Sequence, residues 1–251
     1  MKAMIFAAGL GTRLRPLTDT TPKALVSLSG KTLLQYQIEL LKAVGITEMV
    51  INIHHLGQQI IDYVAAHEQF GCQIHFSDER NQLLNTGGGL YKVLRDGQLP
   101  LDEPILAMNV DILSNIDIAA LIAQYNPSDA GLLVVSDRQT QRYLRFDEDN
   151  YLCGWINVAT GEIKGEKETV RNERRLAFSG MQILNPSRLW HSMQELSMVK
   201  SDFSLIDLYL TMPRHQLKAF VPAHYRMMDV GKINQLTEAE QFAQDIQANN
   251  R

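Results

Sequence analysis

The densest grouping of chemistry-bearing residues opens the chain, in Ala7-Ala8-Gly9-Leu10-Gly11-Thr12-Arg13-Leu14-Arg15-Pro16-Leu17-Thr18, with Pro22-Lys23 shortly after. Glycines let backbone N–H groups approach an anion closely. Arg13 adds a planar fork suited to phosphate oxygens, and Lys23 adds a compact positive charge. Together they describe a phosphate-handling loop. Two better-known phosphate motifs are excluded. A dinucleotide fingerprint needs Gly-x-Gly-x-x-Gly, but Leu14 stands in the third glycine's place, and Pro16 and Pro22 argue against a helix starting here. Gly30-Lys31-Thr32 matches the tail of a Walker A loop, yet Leu25 occupies the position of its first glycine. The competing reading of residues 9–23 is a surface turn with incidental charges. It leaves unexplained why glycines, Arg and Lys all follow a strand at a ligand-binding edge.

The elements that must position this loop follow from hydrophobic patterning. Met1 to Ala8 is a continuous apolar run, as expected of a buried parallel strand. Thr32 to Val44 carries Leu33, Leu34, Ile38, Leu41 and Val44 at helical spacing, and Gly45 stops it. Strands are predicted at 48–54, 73–77, 104–108 and 131–135, and helices at 58–67, 90–95 and 116–125. This alternation predicts an α/β fold, with a Rossmann-like, mostly parallel sheet flanked by helices. Shorter strands at 143–147, 152–157 and 176–184 predict a smaller β-rich elaboration, with 158–175 as a polar loop. A helix at 206–212, strands at 217–221 and 225–229 and an amphipathic helix at 232–248 complete the chain. The expected organisation is one domain over 1–251, with a first half at 1–136, a second at 137–230 and the terminal helix at 232–248.

The run from Gly9 to Lys23 resembles the signature of the sugar-1-phosphate nucleotidyltransferases: Gly-x-Gly-Thr-Arg, then Pro-Leu-Thr, then Pro-Lys, every element being present. The resemblance extends to about residue 240 and implies a glycosyltransferase-A-like fold. It implies that a nucleoside triphosphate and a sugar 1-phosphate give a nucleotide sugar and pyrophosphate, with Mg²⁺ as cofactor. By the same resemblance Asp111 and Asp229 hold the metal, and Arg13 and Lys23 are catalytic. Ala8, Gly9, Gly11, Thr12, Arg13, Gln82, Gly87 and Gly88 bind the nucleotide, and the β-rich half binds the sugar. Compact size, Thr86-Gly87-Gly88-Gly89 and the Phe178-Ser179-Gly180 run are most similar to family members that use UTP and N-acetylmuramate 1-phosphate in peptidoglycan recycling. Mannose-1-phosphate guanylyltransferase-like and choline-phosphate cytidylyltransferase-like chemistry are the alternatives, and a non-catalytic nucleotide-sugar sensor is another. Two departures stand out. The Glu-Lys-Pro segment of many members is replaced by Gly165-Glu166-Lys167-Glu168, and Val110 precedes Asp111 where a glycine is common.

Composition narrows the class. The 251 residues carry a net charge of -4, which argues against a nucleic-acid partner. No apolar run reaches membrane-spanning length, and the first apolar stretch is too short for a signal peptide, so a soluble cytoplasmic protein is expected, with no membrane partner. Cys72 and Cys153 form no paired metal or redox motif. His54 and His55 are adjacent, so in a strand they face opposite ways and do not form one metal site. Ser179 lacks the first glycine of a nucleophile elbow.

Overall fold

The computed structural model describes residues 1–166 and 170–249. The first part of the chain forms β1 (Lys2–Phe6), β2 (Ser27–Leu28), β3 (Lys31–Thr32), α1 (Leu33–Lys42), β4 (Glu48–Ile53), α2 (Gly57–Ala66) and β5 (Gln73–Asp78). Then come α3 (Asn85–Arg95), β6 (Ile105–Asn109), β7 (Ile112–Ser114), α4 (Ile118–Gln124) and β8 (Gly131–Ser136). β9 (Arg142–Phe146), β10 (Leu152–Asn157), β11 (Glu162–Gly165) and β12 (Arg174–Leu184) follow. The last elements are α5 (Pro186–Val199), α6 (Leu205–Tyr209), β13 (Leu217–Phe220), β14 (Met227–Asp229) and α7 (Leu236–Asn249). The fold is α/β, as the alternating pattern predicts.

Two compact units interleave along the sequence. The first takes Met1–Leu83, Ala107–Ile118 and the segment from Tyr225 onward; the second takes Leu84–Leu106 and Ala119–His224. The division therefore does not follow the contiguous halves expected from sequence, since residues 84–106 and 119–136 belong with the later strands.

In the first unit the strand order is β6-β1-β4-β5. β1 and β4 run parallel with Ile5 beside Ile51, and β4 and β5 run parallel with Ile51 beside Phe76. Ala3, Met4 and Ile5 are fully buried, which is why β1 reads as an unbroken apolar run rather than an alternating one. α1 starts at Thr32, whose side chain accepts the Gln35 N–H at 3.1 Å and so satisfies one of the orphan donors of the first turn. Its stripe of Leu33, Leu34, Ile38 and Leu41 is buried. In the second unit, β12 pairs antiparallel with β8 and β9, β10 pairs antiparallel with β9 and β11, and β13 runs parallel to β8.

Two expectations change. The polar stretch 158–175 is not all loop, because Glu162–Gly165 forms β11 against β10 and β12 starts at Arg174. Gly161 and Gly165 have positive φ and supply turns that a strand pattern does not reveal. Residues 167–169 of that stretch, including part of the Gly165–Glu168 segment, lie outside the described residues. The fourteen-residue helix α5 has no counterpart among the predicted elements. Pro186 opens it, and its apolar Met198 and Val199 are exposed, so the helical period is blurred.

Candidate active site

β1 ends at Phe6, and the chain then enters the glycine loop without forming an α-helix. Three 3-10 turns follow, at Thr12–Leu14, Leu17–Asp19 and Lys23–Leu25. The loop is held from beneath by side chains the motif does not include. Asn52, at the end of β4, accepts the Ala7 N–H on Oδ1 at 2.7 Å and donates from Nδ2 to Glu79 Oε1 at 2.8 Å. Asn52 and Glu79 are buried, so this pairing satisfies amide and carboxylate groups that would otherwise be costly. Gly11 adopts φ 64°, and a Cβ there would stand 2.8 Å from Thr18 Cγ2. Both the left-handed backbone and the close approach require glycine. The buried Thr18 hydroxyl donates to the Gly11 carbonyl at 2.8 Å, and a ring nitrogen of His55 lies 3.2 Å from the Thr18 carbonyl. Ala8 is buried, Gly9 has open space around its α-carbon, and Thr12 and Arg13 are exposed.

The charged residues of the first unit converge. Asp111 sits in the two-residue turn, Val110–Asp111, between β6 and β7. Val110 donates its N–H to the Phe6 carbonyl at 3.1 Å, tying this turn to the end of β1. Val110 itself is buried. β7 pairs antiparallel with β14, and the register sets Asp229 beside Ile112. Val230 adds a hydrogen bond to the Asp111 carbonyl at 2.9 Å. Two aspartates far apart in sequence thus sit on neighbouring strand ends. Lys23, almost fully buried, donates from Nζ to Asp111 Oδ2. Arg13 and Asp229 both crowd Gly231: a Cβ there would meet Asp229 Oδ1 at 2.6 Å and Arg13 Nη2 at 2.7 Å.

The arrangement suits an anion and a hard divalent cation. The glycine loop, Arg13 and Lys23 offer donors, and Asp111 and Asp229 offer hard oxygens. Among the described residues no cluster of three or more His, Cys, Asp or Glu could hold a metal. An ion held by the two aspartates would complete its shell with phosphate oxygens and water, the usual habit of Mg²⁺. The two carboxylates therefore fit that ion.

The other sequence-predicted residues are placed differently. Gln82 is exposed and closes a turn by donating its N–H to the Glu79 carbonyl at 3.0 Å. Gly87 and Gly88 belong to the second unit and are buried inside α3 rather than preceding it. Both donate their N–H groups to the Phe203 carbonyl, at 2.9 and 3.0 Å. A Cβ at Gly87 would fall 2.5 Å from Phe203 Cδ2, and one at Gly88 would fall 2.1 Å from the Ser201 carbonyl oxygen. Close packing of α3 on the 201–203 segment is thus a sufficient reason for these glycines. The second unit also holds a cavity of about 640 Å³ whose lining includes Asn85, Arg138, Arg142, Trp155, Lys164 and Asp207. Lys164 Nζ lies 5.3 Å from the Trp155 ring centroid and 3.6 Å from Glu162 Oε1. Sequence reasoning missed Asn52 and Glu79, because each acts through a partner distant in the chain.

Comparison with known proteins identifies the family. Residues 2–246 match the family model described as nucleotidyl transferase. An N-acetylmuramate alpha-1-phosphate uridylyltransferase of Neisseria meningitidis serogroup B is 45% identical over 122 residues, covering 48% of this chain and 51% of that protein. One from Caulobacter vibrioides is 35% identical over 146 residues, covering 55% of this chain and 59% of that protein. The matches thus span about half the length of these curated relatives. The structure of an inositol-1-phosphate CTP transferase from T. maritima superposes with a TM-score of 0.74 at 15% identity, covering 98% of this chain and 95% of that one, which speaks for the fold. No helix among the described residues is long and apolar enough to cross a membrane. The match over residues 2–246, in a chain whose glycine loop is closed by Thr18, whose Lys23 meets Asp111 and whose Asp229 stands in register beside Ile112, places this chain in the nucleotidyl transferase family.

Proposed function

We propose that the chain transfers a nucleoside monophosphate from a nucleoside triphosphate to a sugar 1-phosphate, releasing pyrophosphate, with UTP and N-acetylmuramate 1-phosphate as the substrates and Mg²⁺ as the cofactor. The observation that carries the reaction class is the convergence of Lys23 with Asp111 and of Arg13 with Asp229 around one phosphate loop. The likeness to the uridylyltransferases of Neisseria and Caulobacter supports the substrate pair.

Both substrates are anions, so bringing them together is the main electrostatic problem. Arg13 would hold the β- and γ-phosphates, and Lys23 the α-phosphate or the sugar phosphate. Backbone N–H groups of the loop around Gly9 and Gly11 would line the nucleotide. A phosphate oxygen of the sugar phosphate forms the new bond to the α-phosphorus. The bond from that phosphorus to the bridging oxygen breaks, and its electron pair leaves with pyrophosphate. The attacking oxygen is already ionised near neutral pH, so no general base is needed. Asp111 and Asp229 would hold Mg²⁺, which would supply neutralisation of the phosphate charge. Positioning and charge stabilisation by the chain's own residues carry the rest.

The cavity of the second unit offers a means of choosing the acceptor. Arg138 donates from Nη2 to the Phe178 carbonyl at 3.1 Å, whereas the Arg142 guanidinium has no hydrogen-bond or ion-pair partner among the described residues. A free guanidinium fork suits a carboxylate. N-acetylmuramate differs from N-acetylglucosamine by a lactyl ether that carries one.

Pyrophosphate release with Mg²⁺ tests the reading, with four triphosphates against a panel of sugar 1-phosphates and choline phosphate. Release with UTP and N-acetylmuramate 1-phosphate is expected. Release with another pair would replace the substrate, and no release from folded protein that binds nucleotide would replace the enzyme by a sensor.

A further inference from the structure

The buried stripe of α1 carries a single polar side chain, Gln37, 1% exposed among Leu33, Leu34, Ile38 and Leu41. Its Nε2 donates to the Ile112 carbonyl at 2.9 Å and lies 3.4 Å from the Val110 carbonyl. These carbonyls bracket Asp111, so one amide grips the turn on both sides of that aspartate. The same turn is held from β1 through Phe6 and from β14 through Val230, and its carboxylate is held by Lys23. Gln37 is the hold that comes from the helix side.

The amide of Gln37 is only half satisfied. Its Oε1 is buried and has no hydrogen-bond partner among the described residues. A buried acceptor left unsatisfied is costly, and an apolar residue of similar length would avoid that cost. Leu or Met would also suit the stripe. An unsatisfied buried group that persists calls for an explanation.

We propose that Gln37 is a positioning residue that sets the direction of the Asp111 carboxylate toward the divalent ion and the phosphates. Groups that orient metal ligands govern affinity nearly as much as the ligands do. The inference rests on the reading of Asp111 as a metal ligand.

The test is a Mn²⁺ titration of the full chain without substrates, followed by electron paramagnetic resonance, for wild type, Gln37→Met, Gln37→His and Asp111→Asn. Gln37→Met is expected to weaken Mn²⁺ binding about tenfold. Gln37→His keeps a ring N–H donor and is expected to fall between wild type and Gln37→Met. Gln37→Met gains by losing a half-satisfied amide and loses the bond to the Ile112 carbonyl, so its melting temperature should stay close to that of wild type. The Mg²⁺ concentration for half-maximal pyrophosphate release should rise by the same factor, with the KM for sugar phosphate unchanged. Wild-type Mn²⁺ affinity and Mg²⁺ dependence in Gln37→Met would overturn the inference. Gross unfolding of Gln37→Met would overturn it too, by showing a structural role. If Asp111→Asn loses Mn²⁺ and Gln37→Met keeps it, only the positioning role fails. If Asp111→Asn binds Mn²⁺ as wild type does, the metal reading fails as well.

Discussion

Replacing Gly231 with alanine perturbs Arg13 and Asp229 together without touching either. The added Cβ would lie 2.6 Å from Asp229 Oδ1 and 2.7 Å from Arg13 Nη2, where ordinary contact begins at 3.4 Å. Each group must retreat by roughly 0.8 Å, and a displacement of that order in a reacting constellation costs up to about 100-fold. We expect kcat/KM for pyrophosphate release to fall about 30-fold, or about 2 kcal/mol. The backbone of Gly231 is not in the left-handed region, so alanine is not strained there. Loss of unfolded-state freedom should leave stability unchanged or raise it by about 0.5 kcal/mol. The assay is steady-state pyrophosphate release beside a thermal melt. A folded Gly231→Ala protein with wild-type kcat/KM would refute the placement of Arg13 and Asp229 in the reacting site.

Three further outcomes are expected. Asp111→Asn keeps the shape of the side chain but removes its charge, and should lower kcat/KM by about 2–4 kcal/mol of transition-state stabilisation; near-normal turnover with Mg²⁺ present would contradict the metal role. Arg142→Met should lower kcat/KM for N-acetylmuramate 1-phosphate about tenfold while leaving N-acetylglucosamine 1-phosphate unchanged, as measured by competing the two acceptors; equal losses would deny the carboxylate contact. In the second unit, the hydrogen bond from the buried Arg145 holds the half-buried Glu173 carboxyl below its ordinary range. A depressed carboxyl adds stability above its unfolded pKa and loses it as pH falls through the folded one. Glu173→Leu should therefore destabilise by about 3 kcal/mol at pH 7, with the gap to wild type closing below about pH 4.5 in denaturant titrations.

The glycine loop was legible in the sequence as a candidate site because its residues are contiguous and each type has a local chemical reason. The parallel strands were legible too, since burial on both faces leaves runs such as Ala3-Met4-Ile5 without polar interruption. What stayed hidden depends on distant partners. Nothing beside Asn52 or Gln37 in sequence reveals that one supports Ala7 and the other grips the Asp111 turn. The glycines of α3 could be read as ligand-facing, because the Phe203 and Ser201 backbone that forbids a side chain there lies more than a hundred residues on. The Gly165–Glu168 segment is named in the sequence, but its middle lies outside the described residues.

The pairing of β7 with β14 also has a consequence for how the chain is made. Asp111 leaves the ribosome more than a hundred residues before Asp229 and the strand that carries it. A nascent chain that stops before Met227 already holds the residues of the glycine loop and of β1, β4 and β5. It still lacks the second carboxylate and the Val230 contact on the Asp111 carbonyl. The two aspartates thus come together only after β14 has been made, so growing and prematurely truncated chains carry the glycine loop without Asp229.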